Sequence, residues 1–263
     1  MPQTDRIIAR KQDRIGLIVF NNPERHNAMS LEMWQETHNV LAHFADDDEV
    51  RVVVLTGAGQ KAFVSGADIS KFDDERASRD AADKYNEATG RTFEGLSGFK
   101  KPTIAMIRGY CIGGGLALAL CCDLRICTPD SKFAIPAAKL GIGYDHRGVK
   151  QLIDIVGPAF AKEIFFTARQ FDAEEARIMG LVNRIVPDGD LETYVKTYAE
   201  TIGANAPLTV LSIKLMADEL LKDESVRDIA AMVESMQTCL ASEDYTEGRT
   251  AFMEKRKPAF KGR

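Results

Sequence analysis

The chain has 263 residues, of which 45% are hydrophobic and 28% charged, as in an ordinary folded globular protein. The formal net charge of −5 argues against nucleic acid as the main partner, because nucleic-acid-binding surfaces are usually basic. Residues 1–14 alternate in charge and contain no apolar signal segment, and no stretch reaches the length of a membrane span. We therefore expect a cytoplasmic protein that binds neither nucleic acid nor a membrane.

The cysteines and histidines predict neither a disulfide framework nor a metal site. The five cysteines are an odd number, and four of them lie in or beside the apolar centre of the sequence, which is typical of small reduced core residues. The four histidines are scattered, and no cysteine–histidine cluster has the spacing of a zinc site. No structural metal is expected.

Short apolar runs alternate with helix signals through most of the chain. Strands are predicted at 14–20, 50–56, 103–107, 123–127, 133–135 and 181–186, and helices follow Ser30, begin at Gly157-Pro158 and span 171–180. This alternation predicts an α/β architecture of stacked crossover units. The stretch 71–87 is dense in charge and predicts an exposed helix or lid. From 191 onward the pattern is almost wholly helical, so we predict a core over 1–200 and a helical region over 201–263.

Three consecutive glycines, Gly113 to Gly115, stand between the strand that ends at Ile107 and a helix without a polar face. Glycine allows positive φ and close approach of the backbone to a ligand. The first amides of a helix have no partner within the helix, so they suit a phosphate or a developing oxyanion. A tight strand-to-helix turn packed under another element is the alternative, and the glycines alone leave both interpretations open.

The motifs of the chain, in their order and spacing, resemble those of the crotonase (enoyl-CoA hydratase/isomerase) superfamily. The resemblance covers essentially the whole sequence. It rests on FVSGADI at 63–69, GYCIGGG at 109–115, CD at 122–123 and AFMEKR at 251–256, with NNP at 21–23 and NA at 27–28 in the first loop.

The resemblance implies a crotonase-type spiral of stacked ββα units with a C-terminal helical region used for trimerisation, as a homotrimer or a dimer of trimers. It implies acyl-CoA thioester substrates, with coenzyme A entering as part of the substrate and no prosthetic group. Two backbone amides of the family bind the thioester carbonyl oxygen and stabilise the enolate. By position these amides belong to Ala67 and Gly114, which are both small residues in tight turns.

The resemblance also implies three contacts with coenzyme A. Arg25 lies in the first loop, where family members bind the nucleotide. Phe252 and Lys255 match tail residues that reach coenzyme A, often across a subunit boundary. An aromatic face and an ammonium group suit an adenine ring and phosphates. Without the resemblance, Lys255 would be interpreted as a solvated charge in a charge run.

The sequence departs from the hydratase pattern at both catalytic glutamates. Their positions hold Ala117 and Ala137. Alanine neither orients a water molecule nor moves a proton, and each general acid or base contributes ~10²–10⁴-fold to the rate. Ordinary hydration of an enoyl-CoA is therefore expected to be slow or absent.

A titratable cluster remains at Tyr144, Asp145 and His146. Asp145 falls where several isomerases of the family hold a proton-shuttling aspartate, and Tyr144 falls where methylmalonyl-CoA decarboxylases of the family hold a tyrosine. An apolar pocket would raise the pKa of the Asp145 carboxyl toward neutrality, as proton shuttling requires. The alternative for Asp145 is the N-cap of a helix that begins near Gly148.

These residues favour an isomerase-type enzyme that forms an enolate, with Asp145 as base and acid. A malonyl-type acyl-CoA decarboxylase is the main alternative, because loss of CO2 generates the enolate with little need for a base. An enoyl-CoA hydratase with atypical residues is another. A non-catalytic homologue that binds coenzyme A or RNA fits less well, because the chain retains both oxyanion positions and its charge is acidic.

Overall fold

The computed structural model describes residues 4–68, 71 and 78–263. The predicted lid over 71–87 therefore lies partly outside the described residues, as does Ile69 of the 63–69 motif. The strands are β1 (Ile7–Gln12), β2 (Ile15–Phe20), β3 (Val52–Gly57), β4 (Ala62–Val64), β5 (Thr103–Ile107), β6 (Tyr110–Ile112), β7 (Leu124–Cys127), β8 (Lys132–Ala134), β9 (Phe171–Asp172) and β10 (Arg184–Ile185). The α-helices are α1 (Leu31–Asp46), α2 (Arg79–Ser97), α3 (Gly114–Leu120), α4 (Ala137–Leu140), α5 (His146–Thr167), α6 (Ala173–Ile178), α7 (Leu191–Ala204), α8 (Pro207–Leu220), α9 (Ile229–Ala241) and α10 (Glu243–Met253).

Two sheets run side by side through the core. The larger has the order β1-β2-β3-β5-β7-β10, and the smaller has the order β4-β6-β8-β9. Successive strands alternate between the sheets: β3, β5 and β7 pair in parallel in the first, while β4, β6 and β8 pair in parallel in the second. The chain thus winds as a spiral of stacked ββα turns, which confirms the predicted fold class.

The β3 strand shows why the centre of the larger sheet is continuously apolar. All six of its residues are buried. Because side chains alternate between the faces of a strand, Val53 and Leu55 join the main core, while Val52 and Val54 join a second core. Helix α7 covers the second core with a stripe of residues at helical spacing that includes Leu191 and Val195. Residue 200, the predicted boundary, lies within this helix.

Several elements differ from the sequence prediction. Strand β1 was not predicted; it forms an antiparallel hairpin with β2, and Asp13 of the connecting turn has φ of 53°. The helix predicted to begin at Gly157 is the second half of α5, since Gly157, at φ of 75°, interrupts that helix before Pro158. The helix predicted over 171–180 begins only at Ala173, because the two residues before it form β9.

The predicted core position of the central cysteines is confirmed. All four are buried, and burial raises the pKa of each thiol. These cysteines are Cys111, Cys121, Cys122 and Cys127. In contrast, helix α9 buries none of its side chains within the chain. Its Ile229, Val233, Met236 and Leu240 form an exposed apolar stripe at helical spacing.

The third glycine of the triplet is required by packing. A Cβ atom on Gly115 would lie 2.0 Å from the backbone oxygen of Val64, a distance that no real Cβ contact reaches. Helix α3 therefore packs directly on the backbone of β4. The first glycine, Gly113, precedes the helix with φ of 55° and ψ of −117°, which favours glycine.

Replacing Gly115 with alanine should destabilise the fold by about 1–3 kcal/mol or more, because overpacking against a backbone oxygen forces α3 away from β4. The matched control is Gly90→Ala in α2, where an added Cβ meets no atom within 4 Å. The control should be stabilising by ~0.5–1 kcal/mol, since alanine is the better helix former. Free energies of unfolding from denaturant titration measure both changes, and equal effects would contradict the packing argument.

Candidate active site

In the turn after β4, the amide of Ala67 donates no hydrogen bond to any residue that the structure describes. The oxygen of Gly66 accepts a hydrogen bond from the amide of Met29 at 2.8 Å, and the amide of Asp68 donates to the oxygen of Met29 at 2.9 Å. These bonds flank Ala67, which forms a parallel bridge with Met29, so the Ala67 amide faces away from that residue. Gly66 has φ of 113°, which turns the chain at this point.

The start of α3 leaves a second such amide nearby. The Gly113 amide donates to Ala134 at 2.8 Å, and the next amide, that of Gly114, begins the helix. A Cβ atom added to Gly66 would lie 4.0 Å from the Gly114 nitrogen, so the two turns are close neighbours. Within the described residues neither the Ala67 nor the Gly114 amide donates a hydrogen bond. Two neighbouring N–H donors are the arrangement that binds an oxyanion.

Aromatic side chains pack beside Gly114. A Cβ on this glycine would lie 3.5 Å from the indole of Trp34, which is fully buried. The indole N–H donates to the Tyr85 hydroxyl at 2.9 Å, and the Phe93 ring meets the indole edge to face, with ring centroids 5.3 Å apart. Trp34 lies in the helix that the sequence predicts after Ser30, but its contact with Gly114 was not predicted.

The two positions that hold glutamate in hydratases of the family carry buried methyl groups here. Ala117 lies one turn into α3, and its amide donates to the Gly113 oxygen at 3.0 Å. Ala137 opens α4. Both alanines have 9% of their surface exposed. Neither supplies a titratable group.

The expectation that Asp145 lies in an apolar pocket with a raised pKa is wrong for this structure. The side chain is about half exposed and caps α5, accepting a hydrogen bond from the Arg147 amide at 2.8 Å. The Arg147 guanidinium contacts the same carboxylate at 3.1 Å and also pairs with Glu94. These hydrogen bonds hold the pKa of Asp145 below its usual value. Geometry thus favours the N-cap interpretation, and no hydrogen bond or ion pair of Asp145 reaches the Ala67 or Gly114 amide.

Tyr144 lies on the inner side of the same turn. Its ring packs edge to face against Phe165, with centroids 4.8 Å apart, and an added Cβ on Gly148 would lie 2.8 Å from it. Burial raises the pKa of Tyr144 to about 12. The phenol therefore stays protonated at neutral pH and is able to donate a hydrogen bond but not to act as a base.

Arg25 lies beside the Ala67 turn. Its guanidinium, about half exposed, is 3.3 Å from the carboxylate of Asp68, which is buried. This ion pair links the first loop to the turn that carries the Ala67 amide. The sequence singled out Arg25 but missed its partner, although Asp68 belongs to the 63–69 motif.

Phe252 and Lys255 lie away from this turn, at the end of α10. The Phe252 side chain is 83% exposed, and Lys255 has φ of 55°. Asp123, from the CD motif, has a structural position: its carboxylate accepts the Thr103 amide at 2.7 Å and pairs with Lys214 at 2.7 Å. It thereby ties β5 and α8 to the start of β7.

The fold defines the class of protein: this is a chain with the crotonase fold. Comparison with known proteins agrees. A profile of the enoyl-CoA hydratase/isomerase family matches residues 10–263, and the chain belongs to this family. The family acts on acyl-CoA thioesters.

Relatives of known name are similar over nearly their whole length. The chain is 34% identical over 256 residues to a crotonyl-CoA hydratase of Syntrophomonas wolfei, covering 97% of this chain and 98% of the relative. It is 37% identical over 253 residues to a carnitinyl-CoA dehydratase of Escherichia coli K12, covering 94% of each. An enoyl-CoA hydratase/carnithine racemase structure from Magnetospirillum magneticum superposes with a TM-score of 0.93 at 35% identity, covering 99% of this chain and 97% of that one.

The part of the chain that the structure describes contains neither a membrane-spanning helix nor a cluster of metal ligands. None of its helices combines the length and apolarity needed to cross a membrane. Nor do its histidine, cysteine and acidic side chains gather into a group of three able to hold a metal ion.

The Asp145 carboxyl should titrate below 3.8 in the ligand-free protein, because the Arg147 amide and guanidinium favour its charged form. Its contribution to stability is therefore present at neutral pH and is lost as the pH falls through this lowered value. Carboxyl ¹³C NMR across a pH titration, with Asp145→Asn for assignment, measures the pKa. A value near neutrality would restore the apolar-pocket expectation.

Proposed function

We propose that this chain is an acyl-CoA enzyme that binds the thioester carbonyl oxygen between the amides of Ala67 and Gly114. The observation that carries the proposal is the contact between two turns that each present an amide with no partner in the described chain. An enolate formed on the thioester would be stabilised there. Removal of one donor of this kind typically costs about 3–4 kcal/mol of transition-state stabilisation. The reaction needs no prosthetic group, and coenzyme A enters with the substrate.

Arg25, Phe252 and Lys255 bind the coenzyme A moiety in this proposal. Arg25 stands next to the Ala67 turn through its ion pair with Asp68, so it is able to meet the nucleotide phosphates at the mouth of the site. Phe252 and Lys255 are both exposed at the end of α10, where they are open to a ligand held by another copy of the chain. They act across a subunit boundary, in a homotrimer or a dimer of trimers.

The assembly would use the helical C-terminal region. Helix α9 buries no side chain within the chain, and its four apolar residues at helical spacing are 43–57% exposed. An apolar stripe of this kind is typical of a protein interface. We assign the stripe to contacts between copies of the chain.

The proposed reaction is an isomerase-type proton transfer rather than hydration. Ala117 and Ala137 remove the groups that would orient water, and Asp145 is the carboxylate nearest in sequence to the position of the family's proton shuttle. Because Arg147 lowers the pKa of Asp145 in the free chain, substrate binding would have to loosen this ion pair before Asp145 could act as a base.

Decarboxylation of a malonyl-type thioester is the second candidate, and the lowered pKa of Asp145, which makes this carboxylate a weaker base, favours it. Loss of CO2 leaves the electron pair on the α-carbon and forms the enolate directly, so no strong base is needed. Tyr144, whose pKa of about 12 keeps it protonated, is able to donate a proton or a hydrogen bond to the enolate.

Hydration of crotonyl-CoA should be at least ~10²-fold slower than in hydratases that carry both glutamates, because each general acid or base contributes ~10²–10⁴-fold. Absorbance of the enoyl thioester follows the reaction. Ala117→Glu with Ala137→Glu is the gain-of-function variant. The names of the hydratase relatives favour hydration instead. Fast hydration by the unmodified enzyme would contradict this prediction and show that the chain activates water with other residues.

Asp145→Asn should lower α-proton exchange of a saturated acyl-CoA in D2O by ~10²–10⁴-fold while leaving acetyl-CoA affinity unchanged. Asparagine is about as good an N-cap as aspartate, so α5 is retained. Mass spectrometry measures deuterium uptake by butyryl-CoA. Full exchange in the variant would make Asp145 structural; CO2 release from malonyl- or methylmalonyl-CoA in both proteins would then support decarboxylation.

A further inference from the structure

The last eight residues of the chain fold back along helix α10. The helix ends at Met253, the chain reverses at Lys255 with φ of 55°, and residues 256–263 return toward the start of the helix. We call this returning segment the strap. It contains no helix or strand, so contacts made by its side chains and backbone hold it in place.

Glu247 holds the first half of the strap. Its two carboxylate oxygens accept hydrogen bonds from the two terminal nitrogens of Arg256, at 2.6 and 2.8 Å, and one of them also accepts the Ala259 amide at 2.7 Å. Such a bidentate pair fixes the direction of both side chains. These bonds lower the pKa of Glu247 to about 2, so the carboxylate stays charged at any physiological pH.

Asp244, one turn earlier on the same helix, holds the second half. Its carboxylate oxygens accept the amides of Lys261 and Gly262 at 2.7 and 2.8 Å. Asp244 is only 3% exposed. Arg51, at the edge of β3, donates to the Phe260 oxygen at 2.7 Å and so fastens the strap to the core.

These anchors leave a defined tip. Phe252 and Met253, in the last turn of α10, have 83% and 80% of their surface exposed, and Lys255 makes the reversal. A chain end with so few apolar contacts would ordinarily fray. The carboxylates of Glu247 and Asp244 oppose this fraying, because each of them joins helix α10 to the strap.

We propose that Glu247 and Asp244 are positioning residues for coenzyme A: by fastening the strap they fix the tip that presents Phe252 and Lys255 to the nucleotide. This inference rests on the proposed function, in which those two residues contact coenzyme A. A tip ordered before binding loses less conformational entropy when the ligand arrives, so the anchors raise affinity without touching the ligand.

The test replaces Glu247 with glutamine, which keeps the size but removes the charge and turns an N–H group toward Arg256 or Ala259. The matched control is Glu243→Gln on the same helix. Its partner Arg263 also belongs to the strap, but this single contact of 3.3 Å joins two largely exposed side chains and so contributes little to holding the strap. Titration calorimetry with acetyl-CoA should give a Kd about tenfold weaker for Glu247→Gln and unchanged for Glu243→Gln.

Hydrogen–deuterium exchange without ligand supplies a readout that does not depend on coenzyme A. Exchange in the peptides that cover 252–263 should rise in Glu247→Gln and stay unchanged in Glu243→Gln. The peptides that cover β3 and β5 serve as the fold control and should exchange as in the unmodified protein. A variant that failed to fold would reveal itself in those strands, and Asp244→Asn then provides the second attempt at loosening the strap.

A double-mutant cycle separates positioning from general loosening. Phe252→Ala and Glu247→Gln should each weaken binding, but the double variant should lose clearly less affinity than the sum of the two single losses, because the anchors act through the tip and only their effect on Lys255 remains once the Phe252 ring is gone. Additive losses would overturn the proposal. So would unchanged acetyl-CoA affinity in a Glu247→Gln protein whose strap exchanges faster. If the unmodified enzyme did not bind acetyl-CoA at millimolar concentration, the proposed function itself would fail.

Discussion

The site depends on the close packing of helix α3 on strand β4, where backbone meets backbone with no side chain between. A Cβ on Gly115 would lie 2.0 Å from the Val64 oxygen, so only glycine permits this approach. The contact brings the Gly114 amide next to the turn at Gly66 and Ala67. Both donors belong to the main chain. An oxyanion site of this kind is therefore fixed by the path of the spiral and not by the side chains around it.

Side chains are able to vary around this backbone without changing it. Ala117 and Ala137 carry buried methyl groups next to it. The titratable side chains of the proposed reaction lie elsewhere, at the turn before α5. There, Tyr144 faces the core and Asp145 faces solvent, so two adjacent residues have opposite environments and opposite pKa shifts.

The C-terminal region follows a different principle. Helices α9 and α10 bury little apolar surface within the chain, and α10 is held by charge-assisted hydrogen bonds that the returning strap donates to the carboxylates of Glu247 and Asp244. Such hydrogen bonds fix the relative orientation of the groups that they join more strongly than apolar contacts do. The apolar stripe on α9 and the tip at the end of α10 are both exposed.

The sequence by itself determined the α/β class, the family and the approximate place of most strands, because apolar runs, glycine turns and motif spacing are local features. It also located the Ala67 and Gly114 turns. Only the tertiary structure decided that Val53 and Val54 enter different cores, that Trp34 stands against Gly114, and that Asp145 pairs with Arg147 at the surface. The first two facts depend on residues far apart in the chain. The third depends on the turn before α5 lying at the surface, where Arg147 also pairs with the distant Glu94.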